Sequence, residues 1–319
     1  MDLLARMDPE LATVFPHLPV LDLTDIPRAR SVMLEMLAEA NAAVQPDPRI
    51  RRQDHAVPGA NGAPDVKVRS YRPADANETL PCLYWIHGGG HVLGSVDQDD
   101  LLAEHYAREV GCAVVSVDWR RPPEDPYPAP MDDCYAGLKW TFDNAHGLKI
   151  DPQRIAIGGA SSGGGSAAGL ALLARDRHEI PVRYELLIYP MLDDRNVTPA
   201  SQAITEPRVW NRASNIIGWQ SYLGHAVGSD DPVPIYAAPT RAQDLSGLPS
   251  AFIATGDLDL FLDEDIEYAQ RLLQANVPTE LHVYPGAFHG FDLLAPDAAV
   301  SKRFVRDRDD ALRRALAPT

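Results

Sequence analysis

Residues 154–165 read RIAIGGASSGGG, and the run SAAGLALLA follows at residues 166–174. An apolar run precedes the pattern Gly-x-Ser-x-Gly at Gly159, Ser161 and Gly163, and a helix-forming run follows it. This order predicts a sharp turn between a strand and a helix, with the Ser161 hydroxyl exposed at the tip. Glycine suits the flanking positions because the backbone there lies too close to its neighbours for a side chain. Ser161 is therefore the candidate nucleophile.

The surrounding sequence, from Leu80 onward, alternates short apolar runs with helical stretches. The apolar runs are LPCLYWI, CAVVSVDW, RIAIGG, YELLIYP, SAFIATG and TELHVYP. The helices are predicted near residues 100–110, 131–145, 162–175, 263–275 and 298–315. This alternation is typical of a mostly parallel sheet covered by helices on both faces. We predict an α/β fold.

The chain before Leu80 follows a different pattern. From Thr24 to Ala43, apolar residues recur at the period of an amphipathic helix. Two alternating runs, around Arg52–Val57 and Val66–Arg72, are separated by the turn-rich PGANGAPD. These runs predict an antiparallel hairpin at the start of the sheet.

A second departure from the alternation lies between Pro190 and Leu248. This stretch of about 55 residues is rich in Pro, Asn, Asp and Trp and is too long for a simple connection in a compact core. We predict an N-terminal helical cap segment at residues 1–48. Residues 49–319 are predicted to form the catalytic domain, with a cap insertion at about 191–248.

A glycine-rich loop, His87-Gly88-Gly89-Gly90, follows the apolar run CLYWI. Such a loop supplies bare backbone N–H groups to negative charge that develops in a transition state. The predicted oxyanion hole consists of the amides of Gly88, Gly89 and Ser162. Each donor of this kind contributes about 2.7–4 kcal/mol of transition-state stabilisation.

Two other interpretations of the glycine-rich stretches can be weighed here. His87 and His91 are four residues apart, but the glycines between them predict a loop, and the nearby sequence offers no evident carboxylate ligand for a metal. The run GGASSGGG resembles a phosphate-binding loop, but it lacks the lysine of that motif. We therefore predict neither a metal nor a cofactor.

The candidate acid follows the apolar run SAFIATG, in Asp257-Leu258-Asp259-Leu260. Acids at the carboxyl ends of parallel strands lie where sites assemble in open α/β folds. We choose Asp259, with Asp257, Asp263 and Asp265 as rivals. Asp263 and Asp265 also suit the start of the next helix, where acids stabilise the helix dipole.

The candidate base is His289, in the run GAFHGF just after TELHVYP. His282 lies inside that apolar run, between Leu281 and Val283, and is interpreted as a structural residue. The chain order of Ser161, Asp259 and His289 is the order found in α/β-hydrolases.

Composition restricts the partners and the compartment. The chain has 29 Lys and Arg against 45 Asp and Glu, a net charge of −16, so nucleic acid and anionic membranes are not predicted partners. Cys82, Cys112 and Cys134 fit neither a zinc site nor a disulfide framework and are predicted to be reduced. The N-terminal residues lack the pattern of an export signal, and no stretch approaches the roughly 18 apolar residues of a membrane span. We predict a cytoplasmic protein.

Five motifs together resemble the hormone-sensitive-lipase family of microbial esterases: HGGG, DWRRPPE at residues 118–124, GASSGG, GDLDLFLDE and FHGF. They occur in the order and approximate spacing of that family, from about Val66 to Phe291. The resemblance implies an α/β-hydrolase with a helical cap and no cofactor or metal, which hydrolyses short acyl esters and is often a homodimer. YPMLDDR and YAAPTRAQDLSGLP are similar to bacterial esterases that deacetylate aryl or alkaloid esters such as heroin.

The chain departs from the family pattern at a few positions. Ala160 replaces the usual acid before the nucleophile, and Ser162 replaces a small apolar residue after it. His91 stands where an aromatic residue commonly follows HGGG. The family motif DPLRDE appears here as DLFLDE, without its proline and arginine.

The resulting hypothesis is an ester hydrolase in which Ser161 attacks, His289 takes its proton and Asp259 orients the imidazole, through an acyl-enzyme. Acyl transfer or amide hydrolysis by the same residues is an alternative, as is a small-molecule receptor on the same fold. His91, Trp210 and Trp219 are candidate substrate contacts, although aromatic residues at helical spacing are also typical of a core.

Overall fold

The computed structural model describes residues 3–42, 47–229 and 231–318. In these residues, eight strands form one sheet. The strands are β1 Ile50–Val57, β2 Val66–Pro73, β3 Leu80–Ile86, β4 Ala113–Asp118, β5 Ile150–Ala160, β6 Tyr184–Ile188, β7 Ser250–Gly256 and β8 Thr279–Tyr284. Their order across the sheet is β1-β2-β4-β3-β5-β6-β7-β8. Strand β2 pairs antiparallel with β1 and β4, and the other neighbours run parallel.

The helices connect and cover these strands. The α-helices in the described part of the chain are α1 Leu3–Arg6, α2 Pro9–Val14, α3 Ile26–Ala42, α4 Asp100–His105, α5 Ala129–Asp143, α6 Ala145–Leu148, α7 Ser162–Arg177, α8 Pro199–Ala203, α9 Arg212–Leu223, α10 Leu262–Gln274, α11 Phe291–Leu294 and α12 Ala299–Leu316. A π-helical turn, Tyr106–Val110, extends α4.

The sheet is buried on both faces at its centre. Strands β3, β4, β6 and β7 are almost entirely buried, whereas the edge strand β1 is mostly exposed between its ends. Neighbouring residues of a strand point to opposite faces, so Tyr84 and Trp85 lie in two separate apolar clusters, one on each side of the sheet. The continuous apolar runs of the sequence follow from this double burial.

The predicted α/β fold with a mostly parallel sheet is confirmed, and so are the antiparallel hairpin and the five helices after Leu80. Strand β5 begins earlier than the run RIAIGG indicates. It includes Ile150, which pairs with Leu80 before the register shifts between Leu80 and Cys82. Pro152 lies inside this strand, and proline has no N–H for a regular ladder, which accounts for the irregularity.

The two regions outside the βα alternation also contain helices. Helix α3 lies at the position predicted for the amphipathic helix, with Ala43 outside the described residues. Helices α8 and α9 lie within residues 191–248. The division into a cap segment at 1–48, a catalytic domain at 49–319 and an insertion stays a prediction.

All three cysteines are buried free thiols. Within residues 3–42, 47–229 and 231–318, none of the helices combines the length and apolar character that crossing a membrane requires.

Candidate active site

Ser161 lies at the turn between β5 and α7, as predicted. Its backbone dihedrals, φ 58° and ψ −125°, are uncommon for a residue with a side chain and indicate a strained turn. A Cβ at Gly163 would lie 2.1 Å from the carbonyl oxygen of Ile86, and one at Gly159 would lie 2.3 Å from that of Gly163. Close packing of α7 against β3 therefore requires both glycines, and this packing holds Ser161 in its strained conformation.

A continuous chain of hydrogen bonds joins Ser161, His289 and Asp259. An ionised carboxylate can only accept hydrogen bonds, so Nδ1 of His289 donates to Oδ2 of Asp259 at 2.8 Å. This leaves Nε2 of His289 as the acceptor of the Ser161 hydroxyl, at 2.9 Å. The three side chains come from loops after β5, β7 and β8, which end at the same edge of the sheet.

Two further contacts fix the acid and the imidazole. Oδ1 of Asp259 accepts the backbone N–H of Phe261 at 3.0 Å, and Asp259 is only 1% exposed. The His289 ring meets Tyr189 and Phe261 edge to face, with centroid distances of 4.7 and 5.2 Å. The sequence analysis missed Tyr189 and Phe261. Only their positions in the sequence could have indicated a place in the site, because Tyr189 directly follows β6 and Phe261 lies two residues after Asp259.

Two of the rival acids have other partners, and the third is buried in α10. Asp257 pairs with Arg6 at 3.1 Å and accepts the backbone N–H of Gly286 at 2.6 Å. Asp263 accepts the backbone N–H of Ala200 at 2.7 Å, and Asp265 is fully buried; both belong to α10, as the sequence indicated. Of these four acids, Asp259 is the one hydrogen-bonded to His289.

The glycine-rich loop packs directly against the serine. A Cβ at Gly88 would lie 2.7 Å from the carbonyl oxygen of Ala160 and 3.3 Å from Cβ of Ser161. Gly89 has a φ of 128°, which favours glycine, and its carbonyl oxygen accepts the N–H of Leu93 at 2.8 Å. Ser162 is the first residue of α7, where the amide has no partner inside the helix.

The three residues of this hydrogen-bond chain lie within a region that matches a known protein family. A family model described as the alpha/beta hydrolase fold matches residues 83–293. The chain belongs to the α/β-hydrolase family. The resemblance to hormone-sensitive-lipase-like esterases is thereby confirmed.

Several proteins similar to this chain are esterases. Carboxylesterase NlhH of Mycobacterium tuberculosis is 36% identical to this hydrolase over 303 residues, which cover 92% of each chain. The solved structure of Bacterial Heroin Esterase has a TM-score of 0.95 and 42% identity and covers 99% of both chains. Esterase LipW from Mycobacterium marinum has a TM-score of 0.90 and 37% identity and covers 99% of this chain and 98% of its own. The predicted enzyme class, carboxylic ester hydrolase, is confirmed.

The hydrolase has a cleft of about 280 Å³ that opens onto Ser161 and His289. Its floor includes Gly88 and Gly89. Part of its wall comes from the N-terminal region, namely Pro19, Leu21, Leu23 and Met33, and part from the region of α9, namely Pro207, Arg208, Val209, Trp210 and Ser214. Both regions outside the βα alternation therefore contact the same cleft.

The candidate substrate contacts separate into two groups. Trp210 lines the cleft, where its Nε1 donates to Oδ1 of Asn215 at 3.0 Å. His91 and Trp219 are buried in the packed interior and are not among the residues that line the cleft. His91 stacks on Tyr222 at a centroid distance of 3.8 Å and lies 5.2 Å from Trp219.

The two histidines of the glycine-rich loop have separate structural surroundings. His87 is fully buried and stacks on Trp119 at a centroid distance of 4.7 Å. Burial lowers the pKa of His87 to about 4 and the pKa of His91 to about 3, so both imidazoles are neutral at pH 7. Among the residues that the structure describes, no group of three or more His, Cys, Asp or Glu is arranged to hold a metal ion.

Proposed function

We propose that this carboxylic ester hydrolase cleaves short acyl esters, with Ser161 as nucleophile, His289 as general base and Asp259 as the orienting acid. The observation that carries the proposal is the hydrogen-bond chain from the Ser161 hydroxyl through His289 to the buried Asp259. A nucleophile bonded to a base, which a third group orients, is the arrangement that activates a serine hydroxyl.

The reaction has two halves. His289 Nε2 takes the proton of Ser161 while Oγ attacks the ester carbonyl, and the imidazolium then gives that proton to the leaving alcohol, which leaves an acyl-enzyme. Water repeats the same steps and releases the acid. Asp259 keeps the Nδ1 proton in place and stabilises the imidazolium, since its carboxylate lies 2.8 Å away.

The oxyanion that forms in each half needs hydrogen-bond donors. We assign this role to the backbone amides of Gly88, Gly89 and Ser162. The support is the close approach of Gly88 to Ser161 and the position of Ser162 at the first turn of α7, where the helix dipole also favours negative charge.

The substrate class follows from the cleft and the relatives. A volume of about 280 Å³ suits a short acyl group and a small alcohol better than a long lipid chain. A similar protein is named a heroin esterase, so acetyl esters of aryl or alkaloid alcohols are candidate substrates. Trp210 is the candidate substrate contact that lies at the cleft.

The two regions that wall the cleft are proposed to act together as its cap. Leu23, on the N-terminal side, belongs to an apolar cluster that Trp210 and Ile217 pack against. The cap assignment, the homodimer and the cytoplasmic location stay predictions.

The test is hydrolysis of p-nitrophenyl esters from acetate to palmitate by the wild type and by Ser161→Ala. We expect activity that peaks at the short chains and falls about 10⁶-fold in turnover in the variant. Near wild-type turnover by a folded Ser161→Ala protein would contradict the mechanism. Product analysis with added alcohols or amines separates hydrolysis from acyl transfer.

A further inference from the structure

One end of the active-site cleft is acidic. Asp99 and Asp292 both line the cleft and are only 7% and 6% exposed. Nε1 of Trp85 donates to Asp99 Oδ2 at 2.6 Å, and the Tyr189 hydroxyl donates to Asp292 Oδ1 at 2.9 Å. Both donors are neutral, so these hydrogen bonds place no positive charge directly beside the two carboxyls.

Two arginines line the cleft in the described part of the chain: Arg208, which pairs with Glu206 at 2.6 Å, and, at the acidic end, Arg308. Nε of Arg308 donates to Asp309 Oδ1 at 3.0 Å, and its Nη2 lies 3.0 Å from the same oxygen. His105 contacts the other oxygen of Asp309 at 2.6 Å. Among the described residues, neither Asp99 nor Asp292 has a cationic partner within 4.0 Å.

The electrostatics of the two carboxyls agree with this geometry. Burial raises the pKa of Asp99 to about 6, and the negative charge of Asp292 adds to that rise. Burial also raises the pKa of Asp292, although the more distant charge of Arg308 opposes the rise. Buried carboxylates without a matching cation are costly to ionise, so a positive charge between them would be bound favourably.

A second, independent feature of the same end is an unsatisfied phenol. The Tyr106 side chain is fully buried and lines the cleft, and its hydroxyl has no hydrogen-bond partner in the described part of the chain. Burial raises the pKa of Tyr106; the charge of Arg308 opposes this rise, and the charges of Asp309, Asp292 and Asp99 add to it. Buried hydroxyls in native proteins usually have a hydrogen-bond partner, and a bound molecule that reaches this phenol can supply one.

Aromatic rings surround this end of the cleft. Trp85, Tyr106 and Tyr189 all line it, and the Trp85 and Tyr106 rings lie 5.5 Å apart. The guanidinium of Arg308 already lies over the Tyr106 ring, 4.7 Å from its centroid, so Trp85 and Tyr189 are the rings that can contact a ligand cation. Carboxylates combined with aromatic rings are the groups that recognise ammonium and quaternary ammonium ions.

The acidic end is also adjacent to the reacting groups. Asp292 binds the hydroxyl of Tyr189, whose ring packs against His289. Gln98, next to Asp99, donates to the carbonyl oxygen of Gly88 at 3.3 Å. A cationic group bound at this end can therefore belong to a small substrate whose ester carbonyl lies at Ser161.

We propose that Asp99 and Asp292 bind a positively charged group of the substrate, so that the enzyme prefers esters that carry an ammonium group. This inference rests on the proposed function, because it assigns the substrate class of the same site. The charge can belong to the alcohol or to the acyl part, and the two substrate pairs below distinguish these cases.

The test compares esters of equal shape and different charge. The first pair is meta-trimethylammoniophenyl acetate and meta-tert-butylphenyl acetate. The second is the p-nitrophenyl ester of γ-trimethylammoniobutyrate and its all-carbon isostere. Because the ammonio group also makes the phenol a better leaving group, each kcat/KM is divided by the rate constant for alkaline hydrolysis of the same ester. We expect this normalised value for the cationic member of one pair to exceed that of its neutral partner at least about tenfold, and Asp99→Asn to reduce the normalised ratio toward one. The pair that shows the preference identifies the charged half of the substrate.

Asn at position 99 keeps an acceptor for Trp85, so the variant removes charge with little change of shape. The matched control is Asp297→Asn, which removes one negative charge from an exposed carboxylate outside the cleft. The control is expected to keep the cation preference. Equal normalised values within both pairs, or preference for the neutral members, would overturn the inference even where Ser161-dependent hydrolysis is found.

A binding measurement separates this inference from the proposed mechanism. Phenyltrimethylammonium ion should bind to Ser161→Ala in isothermal titration calorimetry, and Asp99→Asn in that background should weaken the binding about tenfold. Binding without any ester turnover by the wild type would contradict the proposed function and support the cation site. Absence of binding would overturn the cation site.

Discussion

The catalytic edge of the sheet and the wall of the cleft are built in different ways. At the catalytic edge, Ser161, Asp259 and His289 each follow a strand within a few residues, and hydrogen bonds of 2.8 and 2.9 Å join them. In the wall, residues 19–33 and 207–214 come from regions far apart in the chain and meet through apolar contacts. The chemistry therefore depends on a few directional contacts, whereas substrate selection depends on distributed packing. Substitutions in the two regions should have effects of different kind and size.

Among substitutions at the catalytic edge and the wall, Asp259→Asn should have the largest effect on turnover. The variant keeps the shape of the side chain, but its amide no longer holds the proton on Nδ1 of His289. We expect kcat to fall on the order of 10⁴-fold with little change in KM. Steady-state kinetics with p-nitrophenyl acetate measures both. Asp257→Asn is the control, because Asp257 contacts Arg6 and Gly286 rather than His289. Activity retained in Asp259→Asn and lost in Asp257→Asn would reverse the assignment of the acid.

The support of the catalytic edge can be tested at Gly163. Gly163→Ala places a methyl group 2.1 Å from the carbonyl oxygen of Ile86, so α7 must move away from β3. We expect the free energy of unfolding to fall by about 1–3 kcal/mol, with loss of activity because Ser161 moves with the helix. Urea denaturation checks this. Gly147→Ala is the matched control, since no atom lies within 4 Å of its added methyl group. Equal stability of the two variants would show that close packing does not hold the turn.

The smallest effect on the chemistry is expected at the wall. Trp210→Ala enlarges the cleft without touching the hydrogen-bond chain, so kcat for the acetate should change little. The preference among acyl chain lengths should shift by up to about tenfold in kcat/KM toward longer chains, because one aromatic contact contributes about 0.5–1.5 kcal/mol and about 1.4 kcal/mol corresponds to tenfold. The p-nitrophenyl ester series measures the shift.

Trp219 offers the comparison for Trp210. It is fully buried away from the cleft, so Trp219→Ala should cost about 3–5 kcal/mol of stability as a cavity mutation. Thermal and urea denaturation measure that loss. An unchanged chain-length profile in Trp210→Ala would show that the wall of the cleft does not determine the selectivity for acyl chain length.

The sequence alone determined the catalytic edge to a large extent. Gly-x-Ser-x-Gly after an apolar strand, an acid after the next-to-last strand and a histidine after the last are local patterns. The backbone constraints behind them act over a few residues, so they can be recognised without tertiary information. The sequence favoured Asp259 but left Asp257 as a rival, because both follow β7, and the two differ clearly only in the contacts that they make in the structure.

Tertiary structure alone decided the shape and charge of the cleft. Helical periodicity does not distinguish Trp210, which lines the cleft, from Trp219, which is buried behind it. Asp99 lies just before α4, Asp292 lies in α11 and Arg308 lies in α12, and all three line the cleft beside Trp85 and Tyr189. Local sequence encodes turns and strands, since these depend on neighbouring residues. Which distant side chains share a cavity depends on how whole elements pack, and that packing emerges only in the folded chain.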